Sequence, residues 1–265
     1  MLTTALLMAG VGAAALLLMM FLVWLISMRI NNAGLVDVGW ALGLVVLAAW
    51  YAWQGPGFPA RKWILAGMVV AWGLRLATHL VRRIAREPED GRYRQLRREW
   101  QGSNVKLRFL FFFEAQALLD ILLSLPLLIA AINPAPRLNV LEYVGIGFWQ
   151  VAVIGESVVD AQLAAFRREP ANRGRVCQCG LWNYSRHPNY FFEWFVWVAW
   201  AVYAMASPLG WLALICPSLM LFFLFRVTGI PATEAQALRS RGHEYARYQR
   251  TTSAFVPWFK KSVVT

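Results

Sequence analysis

Acidic residues are scarce in this chain. Its 265 residues include 14 Asp and Glu against 26 Lys and Arg, with three histidines and three cysteines. Charged residues make up 15% of the sequence, where a soluble domain of this length carries about a quarter. An ordinary water-soluble fold is therefore excluded. The cysteines are too few for a disulfide scaffold. Cys177 and Cys179 form a Cys-Gln-Cys pair and Cys216 stands alone, which is not the spacing of a structural zinc site, and His187 is the only histidine nearby. No metal is expected. Neither GxGxxG nor GxxxxGK[ST] occurs, so neither a Rossmann turn nor a P-loop supplies a phosphate site. Internal repeats and disordered linkers are also missing, which leaves a single integral domain over residues 1–265.

What the chain does have is apolar length. Hydrophobic residues reach 59%, with 14 tryptophans, and several uncharged runs attain the roughly 20 residues that cross a bilayer. The first, from Met1 to Met28, lacks the basic start and short apolar core of a cleaved signal peptide and reads as a retained span. The expected fold is all-α: a polytopic membrane protein with seven transmembrane helices near 5–28, 35–53, 63–81, 109–132, 140–160, 188–206 and 208–228. Basic residues then set the orientation. Of the 26 Lys and Arg, all but Arg61, Lys62, Arg137 and the intramembrane Arg75 fall on one side, the cytoplasmic one. The N-terminus is thus expected outside and the C-terminus inside. Topology accounts for most of the positive charge, and no nucleic-acid partner is needed.

Three basic segments lie on that cytoplasmic side: 82–108, 161–187 and 232–250. The last reads as an interfacial helix with Leu238, Tyr245 and Tyr248 toward the bilayer. Together the three are expected to fold over the cytoplasmic mouth as a lid.

Ionisable groups inside spans mark function by default. Here they are Asp37, Arg75, His79, Glu114, Asp120, Glu156, Asp160 and Glu193. Structural ion pairs, such as Arg75 with Asp37 or Asp120, are the plain alternative for any one of them. The run 180–200 is the most informative. A polar turn holding Tyr184, Arg186 and His187 enters an apolar helix through Pro188, at the position where proline suits a helix start. Asn189 and Glu193 follow, four apart on one face. Asp160, Arg167, Arg175, Arg226 and Glu234 belong to the same predicted depth. Arginine forks suit phosphates, and carboxylates and amides suit ribose hydroxyls and a carboxamide. That mixture points to a nucleotide pocket. Trp194, Trp197 and Trp200 read as an aromatic belt at the interface.

The segments VDVGW (36–40), REPEDGRYRQLR (86–97), GLWNYSRHPNYFFE (180–193), RVTGIPATE (226–234) and GHEYARYQRTTSAFVPW (242–258) resemble the steroid 5α-reductase family, in particular its bacterial branch of unassigned membrane proteins, the DUF1295-type branch. The resemblance covers almost the whole chain. It implies a bacterial inner-membrane enzyme, a monomer, with a cytoplasmic NADPH pocket and a cavity for a lipophilic small-molecule substrate open to membrane lipid. It also implies hydride transfer to the C=C bond of an α,β-unsaturated carbonyl. Asp160, Arg167 and Arg175 then correspond to acidic and phosphate-side cofactor ligands, Asn189 and Glu193 to nicotinamide contacts, and Arg226 to an arginine on the last span. Tyr184, His187 and Glu234 complete the candidate cofactor set. Asp37 falls near the family's catalytic glutamate, and Tyr93 is a second candidate proton donor if loop 82–108 folds back. Trp72, Ile230 and Glu234 stand where the animal steroid enzymes have tyrosine, histidine and tyrosine.

A rival is an S-adenosylmethionine-dependent methyltransferase of the isoprenylcysteine or phospholipid type, which shares the RHPNY turn and the C-terminal tail. Charge separates the two: a pyrophosphate and a 2′-phosphate want several arginines, S-adenosylmethionine few. A non-catalytic lipid-binding or transport protein would instead show inverted repeats or paired broken helices.

Overall fold

The computed structural model describes residues 2–102, 104–227 and 229–261. Met1, at the start of the first expected span, Ser103, within the basic segment 82–108, and Thr228, at the end of the last span, lie outside the described residues. All regular structure among the described residues is helical: α1 Leu2–Ile30, α2 Leu35–Gln54, α3 Pro59–Arg86, α4 Gly91–Glu99, α5 Val105–Leu123, α6 Leu125–Ala131, α7 Val140–Arg168, α8 Pro188–Ala204, α9 Ile215–Arg226 and α10 Ile230–Thr251. Strand geometry is limited to one isolated bridge between Ser185 and Ser253.

Five stretches are long and apolar enough to cross a bilayer: α1, α2, α3, α7 and Gly210–Thr251, whose apolar half ends at Arg226. A sixth is the broken pair α5–α6, bent by 41°. The bend has a local cause. Ser124 ends α5 with its hydroxyl on the Ile121 carbonyl at 2.8 Å, and Pro126, with no amide hydrogen, starts the next helix. The expected span 188–206 is a helix of 17 residues, about 26 Å at 1.5 Å per residue, against a hydrocarbon core of about 30 Å.

The chain divides into two compact units. In the first, residues 1–140 with 204–212, α2 is central and packs on α1, α3, α5 and α6. Small residues allow the close approach: a side chain at Gly39 would meet the Met20 sulfur at 2.7 Å, and one at Gly73 would meet Val45 at 2.5 Å. At one end, the fully buried Arg61 donates to the carbonyls of Ala135 at 2.7 Å and Arg137 at 2.6 Å, tying the start of α3 to the segment after α6. Asp120 on α5 is fully buried, and both of its oxygens lack a hydrogen-bond partner. The suggested pairing of Arg75 with Asp120 is therefore absent.

In the second unit, residues 141–203 with 213–265, α7 and α8 approach backbone to backbone, because a side chain at Gly145 would meet the Ala199 carbonyl and the Tyr203 amide at 2.9 Å. Trp197 and Trp200 are buried and meet edge to face, 4.9 Å between centroids. Trp194 donates its indole N–H to the Pro217 carbonyl at 2.9 Å. The interfacial belt expected of these three is corrected: they face protein. Tyr245 and Tyr248 are likewise buried, against Val176 and Ala237, rather than turned to lipid. They reach that position because α10 is kinked at Gly242, whose φ of 48° is in the left-handed region that glycine adopts without cost.

Candidate functional site

Two clusters of the expected site residues are ordered by the fold, one in each unit. In the first unit, Asp90 caps α4 by accepting the Arg92 amide at 2.9 Å, the role this side chain favours at a helix start. The cap turns α4 so that Tyr93 is buried and donates its hydroxyl to Asp37 Oδ1 at 2.6 Å. Arg92 lies 3.3 Å and Arg83 3.9 Å from the other Asp37 oxygen. Asp37 thus pairs with these two arginines and accepts from Tyr93. Burial, with the Asp37 charge beside it, pushes the Tyr93 hydroxyl well above its ordinary value of 10, which keeps its proton in place. The segment 82–108 does fold back onto the start of α2 through this contact. Glu89 strengthens the fold-back: it accepts the Ala33 amide at 2.7 Å and pairs with Arg97 at 2.8 Å.

The second unit holds a cavity of about 660 Å³, within the range of small-molecule sites. Its walls are the C-terminal end of α7, the loop 169–177, the turn before α8 and one face of α10. The local sequence explains the walls. α7 runs unbroken to Arg168, which carries Arg167 two turns beyond Asp160 on the same face. Pro170 and Gly174 then turn the chain back, and Gly174 takes a φ of 82°. The loop is held at several points. Gln162 accepts the Leu181 amide at 2.9 Å, the Trp182 indole donates to the Val159 carbonyl at 3.1 Å, and Glu244 accepts the Val176 amide at 3.0 Å. The Tyr248 hydroxyl is shared between the carbonyls of Trp182 and Ser185.

Of the residues expected at the cofactor site, Arg167, Arg175, His187 and Asn189 line this cavity. Arg173, Arg241 and Trp182, which the sequence does not mark, join them, as does Tyr190, whose sequence context suggests an interfacial belt. Arg173 sits in a basic loop that was legible, whereas Tyr190 is ordered by stacking on His187, with ring centroids 5.3 Å apart. Six arginines and a single carboxylate, Glu169, line the cavity.

Asp160, Tyr184, Glu193, Arg226 and Glu234 are not on its walls. Tyr184 packs edge-on to Phe259. Arg226 is exposed at the end of α9. Glu234 forms a bridge: it accepts from Arg186 Nε at 2.6 Å, from Gln249 at 2.8 Å, and meets His187 Nε2 at 3.3 Å. Burial works to raise its pKa. Bonds from His187 and Arg186, with the Arg186 charge, outweigh burial and hold the carboxyl at about 2. Glu234 therefore fixes the cavity wall from behind. Cys177, also on the wall, has its sulfur 3.5 Å from that of Cys179, and burial pushes its thiol up to about 11, so it is an inert packing group at neutral pH. Among the described residues, no group of three or more His, Cys, Asp or Glu converges.

The structure thus defines an α-helical membrane protein with a strongly basic, aromatic-walled cavity in its second unit. The chain belongs to the family described as "Protein of unknown function (DUF1295)", whose profile matches residues 23–252. No curated protein and no solved structure matches it.

Proposed function

We propose that this protein is an NADPH-dependent membrane reductase acting on the C=C bond of an α,β-unsaturated carbonyl lipid. The observation that carries the proposal is the charge of the second unit's cavity, six arginines to one carboxylate in about 660 Å³. A dinucleotide with a pyrophosphate and a 2′-phosphate neutralises such a surface, whereas the sulfonium of S-adenosylmethionine adds to its charge. When bound, NADPH supplies a hydride. Arg167, Arg173, Arg175 and Arg241 would take its phosphates, Asn189 its carboxamide, and Trp182 and Tyr190 would offer flat faces to its rings. Arg186 is already neutralised by Glu234 and serves to hold the turn that presents His187 and Asn189. In the first unit, Asp37 and Tyr93 are the candidate proton donors, and Tyr93, whose one hydroxyl proton is given to Asp37 Oδ1 at 2.6 Å, would have to release that contact to donate to a carbonyl oxygen. With the short α8 counted as a crossing, the chain would span the bilayer seven times, with the N-terminus outside and the basic segments 82–108, 161–187 and 232–250 and the C-terminus in the cytoplasm.

The test is ligand-induced stabilisation of the full chain in an uncharged detergent. NADPH at a hundredfold excess over its Kd should add about 2.7 kcal/mol and raise the melting temperature more than NADH does. Stabilisation by S-adenosylmethionine with no effect of NADPH would replace the reductase by the methyltransferase. No response to any of the three would remove the nucleotide assignment altogether.

A further inference from the structure

Arg175 borders a second recess in the same unit, of about 920 Å³. Arg247, Arg250, Lys260 and Lys261 supply its other cations, and Glu244 is its one carboxylate. Glu244 is engaged, accepting the Val176 amide at 3.0 Å. The chain beyond α10 is tied back across this recess: the Lys261 amide donates to the Thr251 carbonyl at 2.9 Å, and Lys260 Nζ donates to Gln178 at 3.1 Å. Cytoplasmic location explains why this side of the protein is basic. It does not explain why five cations from three chain segments meet in a single concave surface with one carboxylate.

A smaller recess, of about 420 Å³, shares Arg250 and Lys261 with the first and is walled by Val256, Trp258 and Phe259. These three side chains are 49%, 67% and 75% exposed, and none belongs to an apolar span. Large exposed apolar groups outside a span are costly in water but favourable at the headgroup boundary, where tryptophan in particular accumulates. Basic recess and aromatic ridge together match a ligand with an anionic head and an apolar tail. Free phosphate would use the cations and leave the aromatic ridge without a role.

From this juxtaposition we infer that residues 247–261, with Arg175, form a binding surface for the headgroup of an anionic phospholipid. The phosphate lies among Arg247, Arg250, Lys260 and Lys261, and Trp258 and Phe259 enter the headgroup boundary. Arg247, Arg250, Lys260 and Lys261 do not line the proposed nucleotide cavity. Arg175 and Arg186 each border both it and one of these recesses, and Tyr248, within residues 247–261, lines it as well, so the test leaves those three untouched.

The delipidated full chain, in an uncharged detergent, is melted with phosphatidylglycerol, phosphatidylcholine or inorganic phosphate at equal phosphorus concentration. Phosphatidylglycerol should raise the melting temperature by several degrees, with little change from the other two. The double variant Arg250→Ala, Lys261→Ala should lose most of that shift, the charge-keeping Arg250→Lys, Lys261→Arg should retain it, and the NADPH response should be the same in both. Equal shifts from phosphatidylcholine or from free phosphate overturn the inference, as does a phosphatidylglycerol shift undiminished in the alanine pair. Native mass spectrometry of the unmodified chain with equimolar phosphatidylglycerol and phosphatidylcholine gives a readout independent of the variants. Preferential retention of phosphatidylglycerol supports the surface, and equal retention overturns it.

Discussion

The Tyr93 hydroxyl donates to Asp37 across 2.6 Å, joining two residues 56 positions apart. The Tyr93 ring also meets Phe112 edge-on, with centroids 6.1 Å apart, so its position does not depend on the hydroxyl alone. Tyr93→Phe should keep the ring in place and lose the hydrogen bond, while Asp37→Asn removes the charge that Arg83 and Arg92 face. A double-mutant cycle should show a coupling of about 1–2 kcal/mol, since hydrogen bonds to charged groups are worth about 1.5–3 kcal/mol before partial exposure is considered. Reversible unfolding in detergent measures it. Strictly additive losses would mean that the pair contributes nothing beyond its separate packing. Neither change should alter stabilisation by NADPH.

Glu234 supplies a pH dependence with a definite sign. Its native carboxyl titrates at about 2, against an ordinary 4.5, so the folded protein holds this group ionised where the unfolded chain has already taken up a proton. The stabilisation is complete above the ordinary value and declines as the pH falls from about 4.5 toward 2. Discounted for partial exposure, it should amount to about 1–2 kcal/mol. Glu234→Gln should lower the melting temperature at pH 7, because Arg186 loses its charged partner. The variant and parent curves should then converge as the pH drops to 3. Parallel curves over that range would show that Glu234 is not the group responsible.

Legibility in the sequence followed how locally each feature is encoded. Arg167, Arg175, His187 and Asn189 were identifiable because they fall within a short stretch whose basic loop and proline-started helix announce themselves. Asp37 stood out as an acid in an apolar run, yet its partners Arg92 and Tyr93 are joined to it only by the cap at Asp90 and the fold-back of α4. Glu234 reads from the sequence as a member of the cofactor set, and the structure instead pairs its carboxylate with Arg186. Trp197, Trp200, Tyr245 and Tyr248 were misdirected toward lipid because lipid and protein interior are equally apolar, so composition cannot tell which one a membrane aromatic faces. The span count was set by hydropathy alone, and α8 shows that 17 residues can be apolar, buried and still shorter than the bilayer core.

Gly145 and Gly147 lie on the same helix and should respond oppositely to alanine. At Gly145 an added methyl meets the Ala199 carbonyl, the Tyr203 amide and the Tyr203 Cβ, each at 2.9 Å, whereas at Gly147 nothing lies within 4 Å. Gly145→Ala should force α7 and α8 apart and cost about 1–3 kcal/mol. Gly147→Ala should be neutral or gain up to about 1 kcal/mol from helix propensity. Melting temperatures of the two variants decide the matter, and a tolerated Gly145→Ala would mean that α7 and α8 do not touch here.

Asn189 and Glu193 carry the sharpest prediction for the nucleotide site, because the sequence pairs them and the structure separates them. Both belong to the face of α8 defined by a four-residue step, but Asn189 lines the cavity and Glu193, one turn further into the helix, does not. Asn189→Ala should raise the Kd for NADPH about tenfold, a loss of about 1.4 kcal/mol, and Glu193→Ala should leave it unchanged. Arg167→Ala should cause a larger loss than Asn189→Ala and weaken the dependence of binding on salt, since it removes a charge that faces the phosphates. Titration of nucleotide fluorescence against each purified variant, at two ionic strengths, gives all three numbers. If Glu193→Ala weakened binding as strongly as Asn189→Ala, the nucleotide would have to reach deeper along α8 than the cavity does.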